Sequence, residues 1–304
     1  MRLQCALLAA LFTTSCTTVP HEASEPSIAI TIDDLPVHGP YPRGESELSA
    51  TKQILAALEA ERVEAYGFLN AQWTERQPAS MEALKAWAAA GQPLANHGFA
   101  HRHLSEMSAE EFEQELVKNE PVLELLSGGK DWKWFRYPFI DEGENAEKRA
   151  ASRAILARHG YKIAAVTMDF SDWAWSAPYA RCKDAGDDAA VAKLEALYLQ
   201  AAQEGIVHFR ALSQQTYRRE IPYVLLLHVS AFEGRVLPQL LKLYRDEGFR
   251  FVTLAQAQSD PAYLDQNKPQ RPAEPQGLEG KAVKRGPLPT RTNYQPILEG
   301  MCKA

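Results

Sequence analysis

The sequence predicts an α/β protein in which parallel strands and their helices form a distorted (β/α)7–8 barrel. Short apolar runs alternate with segments of helical periodicity over most of the chain, from residue 27 onward. Strands that are apolar throughout are typical of parallel sheets covered by helices. Seven or eight strand–helix units favour a barrel over an open sheet. In such a barrel, the active site lies at the C-terminal ends of the strands.

The strands are predicted where apolar, β-branched or aromatic residues run between turn signals. They are expected at residues 27–32, 65–69, 93–96, 134–137, 161–167, 223–227 and 250–254. The helices are predicted from amphipathic periodicity, with a capping box at residues 108–111 and a C-terminal glycine at Gly160. They are expected at residues 48–60, 81–90, 108–126, 147–160 and 237–246, with a long helical region that begins near residue 188.

The composition indicates a globular protein and argues against a nucleic-acid partner. The chain has 304 residues, which is enough for a large domain with a substantial core. Its 45% hydrophobic and 24% charged residues are unlike those of a disordered or membrane-spanning protein. With 33 Lys and Arg against 39 Asp and Glu, the formal net charge is −6. A nucleic-acid-binding surface needs a basic excess, so none is expected. We expect a monomer.

The N-terminal segment resembles a bacterial export signal. Arg2 precedes an apolar run at residues 6–12, and small or hydroxylated residues lead up to Cys16. The run is too short to span a bilayer but suits a signal peptide. The letters TTSC at 13–16 resemble a lipobox, in which Cys16 would carry a lipid anchor, the chain's one membrane contact; an ordinary cleaved signal is the alternative. We therefore expect a signal peptide at 1–16, a linker at 17–26, and location in the periplasm or at the outer membrane.

The barrel domain is expected at residues 27–260, followed by a proline-rich tail at 261–304. Seven prolines fall between Pro261 and Pro296 without any periodic pattern, which predicts an extended tail. Two cysteines, Cys182 and Cys302, remain outside the export segment. In an oxidising compartment they could form a disulfide that fixes the tail, or they could be two free thiols. The absence of a C-x-x-C spacing argues against a cysteine zinc site.

Acidic and histidine side chains follow the first and third predicted strands. Asp33 and Asp34 end the first strand, and neighbours on a strand point to opposite sides. One carboxylate could bind a metal while the other accepts a proton from water; alternatively, the pair is a turn or helix-capping acid. The spacing of His97 and His101 would place both imidazoles on one face of a helical turn. Two histidines and one carboxylate leave coordination positions open, as a catalytic divalent site requires.

Three further charged side chains follow later strands: Arg136, Asp172 and His228. An arginine beside a carboxylate favours its charged form and fixes its orientation. A histidine beside a carboxylate has a raised pKa, so it can act as a general acid near neutrality. Singly, these residues could form an ordinary salt bridge and a core histidine. Together with a metal site, they supply the base, acid and electrophile that hydrolyse an amide or an ester.

Five ordered motifs resemble those of the polysaccharide deacetylase family, the NodB-homology domain of carbohydrate esterase family four. The resemblance covers about residues 27–258. The motifs are TIDD at 31–34, HGFAH at 97–101, RYPF at 136–139, DFSDW at 169–173 and LLH at 226–228. One departure is Gly98, which stands where Ser or Thr normally braces the histidine turn.

The resemblance implies a distorted barrel and a divalent metal, commonly zinc, held by Asp34, His97 and His101. It makes Asp33 the general base that takes a proton from water, and His228 the general acid that protonates the leaving group. Cobalt, nickel and manganese remain alternatives for the native metal.

The resemblance also implies supporting and substrate-contacting residues. Arg136 would hold Asp33, and Asp172 would tune His228. The backbone N–H of Phe139 would help to stabilise the tetrahedral oxyanion. Trp173 and Leu226 would line the acetyl pocket, and Tyr137 and Phe139 are expected to contact substrate beside them. Apart from the resemblance, Trp175 is expected to stack on a sugar ring because it follows Trp173 in the sequence.

Three functions follow from these observations, and one is favoured. The favoured function is removal of acetyl groups from an N- or O-acetylated polysaccharide by a metal-dependent hydrolase. An alternative is hydrolysis of a small amide or imide, for which residues 174–222 would close the groove into a pocket. A further alternative is a non-catalytic glycan-binding lipoprotein, which predicts loss of the base or of metal ligands.

Overall fold

Seven parallel strands form one curved sheet in the computed structural model, which describes residues 25–271 and 277–303. The strands are β1 (Ser27–Leu35), β2 (Ala65–Leu69), β3 (Leu94–Asn96), β4 (Trp134–Phe135), β5 (Lys162–Ile163), β6 (Tyr223–His228) and β7 (Arg250–Phe251). Their order is β5-β4-β3-β2-β1-β6, and β7 pairs with the first two residues of β1. The predicted signal peptide, the lipid anchor at Cys16 and most of the linker lie outside the described residues.

The sheet closes into a barrel through the chain that follows β5. The N–H of Ala164 still pairs with the carbonyl of Phe135 at the end of β4, at 2.8 Å. Further on, the N–H groups of Thr167 and Met168 donate to the carbonyl of Val224 on β6, at 3.2 and 3.1 Å. The segment after β5 thus joins the β4 side of the sheet to β6 and closes the barrel. The predicted distorted parallel barrel is confirmed. The predicted strand 161–167 is too long, because the chain leaves β4 for β6 soon after β5 ends.

Helices surround the barrel, and six of those in the described part of the chain begin at a polar side chain that caps the first turn. Their bounds are α1 (Glu47–Glu61), α2 (Gln72–Arg76), α3 (Ser80–Ala89), α4 (Ala109–Leu126), α5 (Ala146–Arg158), α6 (Ser176–Asp184), α7 (Asp188–Tyr217), α8 (Ala231–Asp246), α9 (Leu254–Ala257), α10 (Leu264–Asn267), α11 (Leu278–Val283) and α12 (Gln295–Gly300). The predicted capping box before α4 is present, since Ser108 and Glu111 exchange both hydrogen bonds. Within 25–271 and 277–303, none of these helices is both long and apolar enough to cross a membrane.

Helix α8 begins earlier than the sequence predicted. The prediction placed its start at residue 237, whereas the helix starts at Ala231 with Ser230 as its cap. The Ser230 hydroxyl accepts the N–H of Glu233 at 2.9 Å. Pro238 lies inside the helix, although proline is normally confined to the first turn of a helix. A strong cap and a buried apolar face outweigh this local preference.

The tail folds back onto the barrel, so the prediction of an extended tail is wrong. It contains α10, α11 and α12, and α11 packs against α7. The Arg181 guanidinium on α6 donates to the carbonyls of Leu298 and Met301, at 3.0 and 3.1 Å. Next to it, Cys182 and Cys302 form a disulfide bond, which was one of the two alternatives left open by the sequence.

The register between β1 and β6 determines which side chains lie next to each other at the mouth of the barrel. All nine residues of β1 are buried. Asp33 near its end is paired with His228, the last residue of β6. Residues in register on neighbouring parallel strands direct their side chains to the same side of the sheet. Hence an acidic and a histidine side chain lie next to each other at the C-terminal ends of the strands.

Candidate active site

A cavity of about 370 Å³ opens at the C-terminal ends of β1, β3 and β6. Most of the residues expected in the site from the sequence line it. They are Asp33, Asp34, His97, His101, Tyr137, Phe139, Trp173, Leu226 and His228. Two more, Arg136 and Asp172, lie directly behind the wall and bond to Asp33 and His228. The last, Trp175, lies elsewhere.

Three of these side chains direct donor atoms to one point. The ligand atoms of Asp34, His97 and His101 all lie within 4.8 Å of one another. Asp34 Oδ1 is 3.4 Å from His97 Nε2 and 3.1 Å from His101 Nε2, and this buried oxygen has no well-oriented hydrogen bond. Burial alone would raise the pKa of Asp34, but its contacts with His101, His38 and His97 hold that pKa well below its usual range. The carboxylate is therefore ionised, as a metal ligand must be.

The second ring nitrogen of His97 fixes the orientation of its imidazole. Nδ1 lies 2.9 Å from the backbone carbonyl of Arg136. Because a carbonyl oxygen can only accept a hydrogen bond, Nδ1 carries the proton. Nε2 is then the ring nitrogen that remains for a metal ion on the Asp34 side of the cavity. A hydrogen bond of this kind on the remote nitrogen is the usual support of a metal-binding histidine.

His97 and His101 lie on an irregular loop, so the prediction that they share a face of a helical turn is wrong. Gly98 and His101 have φ angles of 74° and 51°, which a right-handed helix does not allow. The amide of Asn70 donates to the carbonyls of His97 and Gly98 at 2.7 and 2.9 Å. The folded loop brings the two imidazole centroids to 5.0 Å. Glycine suits position 98 because side-chain-bearing residues rarely adopt this conformation.

A buried ion pair with Arg136 holds Asp33. The guanidinium Nη1 donates to Asp33 Oδ1 at 2.7 Å, and the two side chains are 2% and 3% exposed. Arg136 is itself held by Thr31 Oγ1 at 2.7 Å and by the carbonyl of Ala164 at 3.2 Å. The other carboxylate oxygen, Asp33 Oδ2, lies 3.6 Å from His97 Nε2. Asp33 thus has one oxygen fixed by the arginine and the other beside the metal-ligand set.

Asp172 supports His228 through two hydrogen bonds. Its Oδ1 lies 2.9 Å from His228 Nδ1, and its Oδ2 accepts the backbone N–H of His228 at 2.6 Å. Burial alone would lower the pKa of His228. The charge and hydrogen bond of Asp172, with the charges of Asp34 and Asp33, instead raise this pKa to about 10. A protonated imidazole with Nδ1 committed to Asp172 can donate only from Nε2.

Three large apolar side chains at the mouth of the cavity face solvent. Phe139, Ile140 and Trp173 are 54%, 47% and 47% exposed, unlike the aromatic residues of the core. The Phe139 ring stacks on His103, with centroids 3.7 Å apart and planes 10° apart. It also contacts the edge of His101 at 4.4 Å. Exposed flat rings beside a cavity that contains charged side chains are suited to stacking against sugar rings.

Of the residues expected to contact substrate, one faces the core and another borders the cavity with its hydroxyl in the core. Trp175 is 1% exposed and packs against Tyr198 and Phe232, so the prediction that it stacks on a sugar is wrong. Trp175 closely follows Trp173 in the sequence, but the helical turn that contains both directs the two indoles to different sides. Tyr137 borders the cavity, yet its hydroxyl lies 3.0 Å from Ser152 Oγ in the core. That hydroxyl is not free to bind substrate.

Sequence reasoning missed three residues of the cavity wall, His38, Ile140 and Asp169. His38 Nδ1 lies 2.6 Å from Asp34 Oδ2. Its signal in the sequence was a lone histidine four positions after Asp34, beyond a proline turn. Asp169 lies in the motif DFSDW at 169–173, of which only Asp172 and Trp173 were predicted to act. Burial raises its pKa, and its Oδ1 accepts the N–H of Ser171 at 2.7 Å.

Left-handed backbone conformations concentrate at this cavity. In the described part of the chain, eight non-glycine residues have positive φ, and four of them line the cavity. These four are Asp34, His101, Phe139 and Ile140. Such conformations cost free energy and persist only where the surrounding structure enforces them. Their concentration supports assignment of this cavity as the functional site.

The side chains at this point fit a divalent metal ion. One carboxylate and two imidazoles are ligands that Zn²⁺ and neighbouring transition-metal ions accept, and three protein ligands leave positions open for water and substrate. The buried Asp34 Oδ1 without a well-oriented hydrogen bond is the atom that a cation would satisfy. His97 has its remote nitrogen bonded, so its free nitrogen is available to the ion.

Fold and site together define an α/β-barrel protein with a carboxylate–histidine site suited to a divalent metal. The family model for polysaccharide deacetylases matches residues 21–182, which is more than half of the chain. The chain therefore belongs to the polysaccharide deacetylase family, and the resemblance seen in its motifs is confirmed.

Known relatives share this family and fold at low identity. Over 154 residues the chain is 27% identical to a peptidoglycan-N-acetylglucosamine deacetylase of Bacillus cereus, covering 51% of this chain and 48% of that protein. The chain thus spans about half the length of this relative. Among solved structures, a CE4 family pseudoenzyme of Bacillus anthracis, BA3943, aligns with 17% identity and a TM-score of 0.53, over 77% of this chain and 66% of that one.

A second solved structure agrees in fold. It is the Xyl-CE4 domain of a multidomain xylanase from the hindgut metagenome of Trinervitermes trinervoides. The two are 20% identical with a TM-score of 0.50, and the alignment covers 77% of this chain and 90% of that domain. At such identities the structural likeness bears on the fold alone.

Proposed function

We propose that this protein is a metal-dependent hydrolase that removes acetyl groups from an N- or O-acetylated polysaccharide, with residues 27–260 as its catalytic domain. The observation that carries the proposal is the arrangement around one cavity. Asp33 and His228 come from paired positions of β1 and β6, and the set Asp34, His97 and His101 lies beside Asp33. A base, an acid and a metal-binding set at one point can hydrolyse an amide or an ester.

Each side chain has a distinct task in the proposed reaction. A divalent ion at Asp34, His97 and His101, with zinc as the first candidate, would supply Lewis-acid polarisation of the acetyl carbonyl and of the attacking water. Asp33, oriented by Arg136, accepts a proton from the water.

The leaving group and the developing negative charge have their own partners. His228 donates a proton from Nε2 to the leaving nitrogen or oxygen, while Asp172 keeps its ring in place. The N–H of Phe139 stabilises the negative oxygen of the tetrahedral intermediate. The walls formed by Leu226 and Trp173 suit a methyl group.

An extended substrate is favoured by the position of the segment 174–222. This segment would have to cover the cavity if the substrate were a small amide or imide. It forms α6 and α7, which pack against α8, and in the described structure it contributes no residue to the lining of the cavity. The exposed rings of Phe139 and Trp173 remain accessible to a sugar chain. A glycan polymer outside the cytoplasm is therefore the proposed substrate class.

The proposed setting is extracytoplasmic. The chain would be an exported monomer of a bacterial periplasm or outer membrane, attached through a lipid on Cys16. The relative in Bacillus cereus is named as a deacetylase of peptidoglycan N-acetylglucosamine, which makes peptidoglycan the first polymer to test. Loss of the base or of metal ligands, as a non-catalytic glycan-binding protein would show, is not seen in Asp33, Asp34, His97, His101 or His228.

Acetate release from acetylated glycans tests the proposal. The metal-loaded full chain is compared with Asp33→Asn and His97→Ala on peptidoglycan, chitin-like, xylan and exopolysaccharide substrates. We expect acetate from one of these polymers with the wild type and none with either variant. Asp131→Asn is the matched control, because Asp131 is exposed, pairs with Lys162 and lies outside the cavity. Stoichiometric metal binding without acetate from any glycan would favour the small-amide alternative, and wild-type activity in Asp33→Asn would contradict the proposed base.

A further inference from the structure

His38 is a cavity residue to which neither the sequence motifs nor the proposed reaction gives a role. It lies in the connection between β1 and α1, four residues after Asp34. The carbonyl of Asp34 accepts the N–H of Val37 at 2.8 Å, and this tight turn brings the chain back towards the carboxylate. The His38 side chain is 19% exposed and lines the cavity beside Asp34.

The two oxygens of Asp34 have different surroundings. Oδ2 lies 2.6 Å from His38 Nδ1, whereas Oδ1 faces Nε2 of His97 and of His101. An ionised carboxylate can only accept, so the proton of this short contact is on Nδ1 of His38. One oxygen is thereby held by an N–H donor, and the other is presented to the point shared with the two histidines.

The other contacts of His38 keep its ring fixed. Nε2 lies 3.5 Å from the backbone carbonyl of Trp173, at the limit of a hydrogen bond. The ring centroid is 4.8 Å from that of His228, with the planes inclined at 41°. Neither ring nitrogen of His38 is directed at the point shared by His97 and His101, so its geometry is that of a supporting residue and not of a ligand.

We propose that His38 is a positioning residue that holds Asp34 in the orientation in which its Oδ1 binds a divalent metal ion. The inference rests on the proposed function, because it needs a metal at Asp34, His97 and His101. Hydrogen-bonded partners of metal ligands typically change metal affinity by 10–100-fold when they are removed. Removal of His38 frees the carboxylate to rotate away from the shared point, and the ion then has to restore that order on binding.

Metal affinity of the full chain measures this role independently of turnover. Zinc binding is determined by competition with a chromophoric chelator for the wild type, His38→Ala, His38→Asn and His97→Ala. We expect the dissociation constant to rise 10–100-fold in His38→Ala. In His38→Asn it should stay close to that of the wild type, because asparagine Nδ2 occupies the place of the histidine Nδ1 donor. His159→Ala is the matched control, since His159 also lies 2.6 Å from a carboxylate, Glu113, outside the cavity.

Each outcome distinguishes this inference from the proposed function. If His97→Ala abolishes binding while His38→Ala binds zinc like the wild type, the positioning role is overturned and the proposed metal site stands. If His38→Asn loses as much affinity as His38→Ala, the hydrogen bond is not the cause and the inference is again overturned. If the wild type binds no divalent ion, both proposals fail. Thermal unfolding of each metal-free variant shows whether it folds, and His38→Asn remains informative if His38→Ala does not.

Discussion

Arg136 and Asp33 form a buried ion pair inside the barrel mouth, with side chains that are 2% and 3% exposed. The guanidinium lies over the Phe68 ring, 4.3 Å from its centroid, and donates to Asp33, Thr31 and Ala164. Burial lowers the pKa of Arg136, and the charge of Asp33 opposes this effect. Such a pair is weak evidence for stability as a unit, but either charge without its partner is costly.

The first prediction concerns the coupling between these two residues. We expect Arg136→Leu to lower the free energy of unfolding by about 3–5 kcal/mol, because it leaves the Asp33 carboxylate buried without a partner. The double variant with Asp33→Asn should recover part of this loss, since no uncompensated charge remains. Urea unfolding of the wild type, both single variants and the double variant measures the coupling. Strictly additive losses would contradict it.

The second prediction concerns the pH dependence set by Asp172. In the proposed reaction His228 is the general acid and must be protonated, so activity should be lost as the pH rises through its pKa. Asp172 helps to raise that pKa to about 10. Asp172→Asn removes the charge, so the pKa falls and the alkaline limb of kcat/KM moves to lower pH. The measurement is a pH–rate profile at fixed metal loading, with Asp131→Asn as the control. An unmoved alkaline limb would show that Asp172 does not tune the acid.

Most charged residues of the candidate site were predictable from the sequence, because they directly follow apolar strands. Acidic, histidine and arginine residues just after apolar runs must converge in a parallel barrel. The arrangement within loops was not predictable in the same way. His97 and His101 meet through positive φ angles and a hydrogen bond from Asn70, not through helical periodicity. His38 was not predicted, because its contact with Asp34 depends on the tight turn at Val37, which the sequence pattern does not show.

Helix α3 packs on β2 at a strand position that has no side chain. Trp87 of α3 is fully buried, and its Nε1 donates to the carbonyl of Pro93 at 3.0 Å. The same carbonyl accepts the N–H of Gly67 in β2 at 2.9 Å. A Cβ at Gly67 would overlap Leu35 Cδ1 and lie 2.8 Å from Trp87 Cε2. Glycine here allows an indole to lie directly against the sheet.

The third prediction follows from this close approach. Gly67→Ala should lower the free energy of unfolding by about 1–3 kcal/mol, because the added methyl group overpacks the contact between Leu35 and Trp87. Gly300→Ala is the matched control, since nothing lies within 4 Å of its added Cβ. Chemical denaturation with tryptophan fluorescence reports both changes. Equal stability of the two variants would mean that α3 can shift away from β2 without cost.

The existence of elements was predictable, but their ends depended on tertiary partners. The apolar run at 161–167 has strand character throughout, yet it divides between β4 and β6 because the barrel must close. Likewise, α8 starts at Ala231 because Ser230 caps it and a buried face is available there, despite Pro238. The local sequence pattern indicates whether a segment prefers helix or strand. Which neighbour the segment pairs with depends on the closure of the barrel.

The C-terminal tail, residues 261–303, connects the segment around Asp169 with helices α6 and α7. Arg291 donates to the carbonyl of Asp169 at 2.7 Å and pairs with Glu279 at 3.1 Å. Tyr294 donates to Glu204 on α7 at 2.9 Å. The disulfide between Cys182 and Cys302 fixes the end of the tail to α6, across a sequence separation of 120 residues. The tail thus supports the segment that carries Asp169 on the cavity wall.

The fourth prediction is that the disulfide stabilises the whole molecule. Closing a loop of this length restricts the unfolded chain, and removal of such a bond costs about 2–4 kcal/mol. We expect Cys302→Ser to lower the free energy of unfolding by this amount under oxidising conditions. Position 302 is preferred to the fully buried Cys182, because a hydroxyl there would add a desolvation penalty of its own.

A reducing agent separates this effect from loss of local packing. Reduction should lower the stability of the wild type to that of Cys302→Ser, and it should leave the variant unchanged, because no bond remains to be broken. Urea unfolding with and without reductant gives the four values. If the variant is as stable as the oxidised wild type, the contacts of Arg181, Arg291 and Tyr294 alone hold the tail on the barrel. If reduction also destabilises the variant, the reductant acts elsewhere and the assignment of the effect to the Cys182–Cys302 bond is wrong.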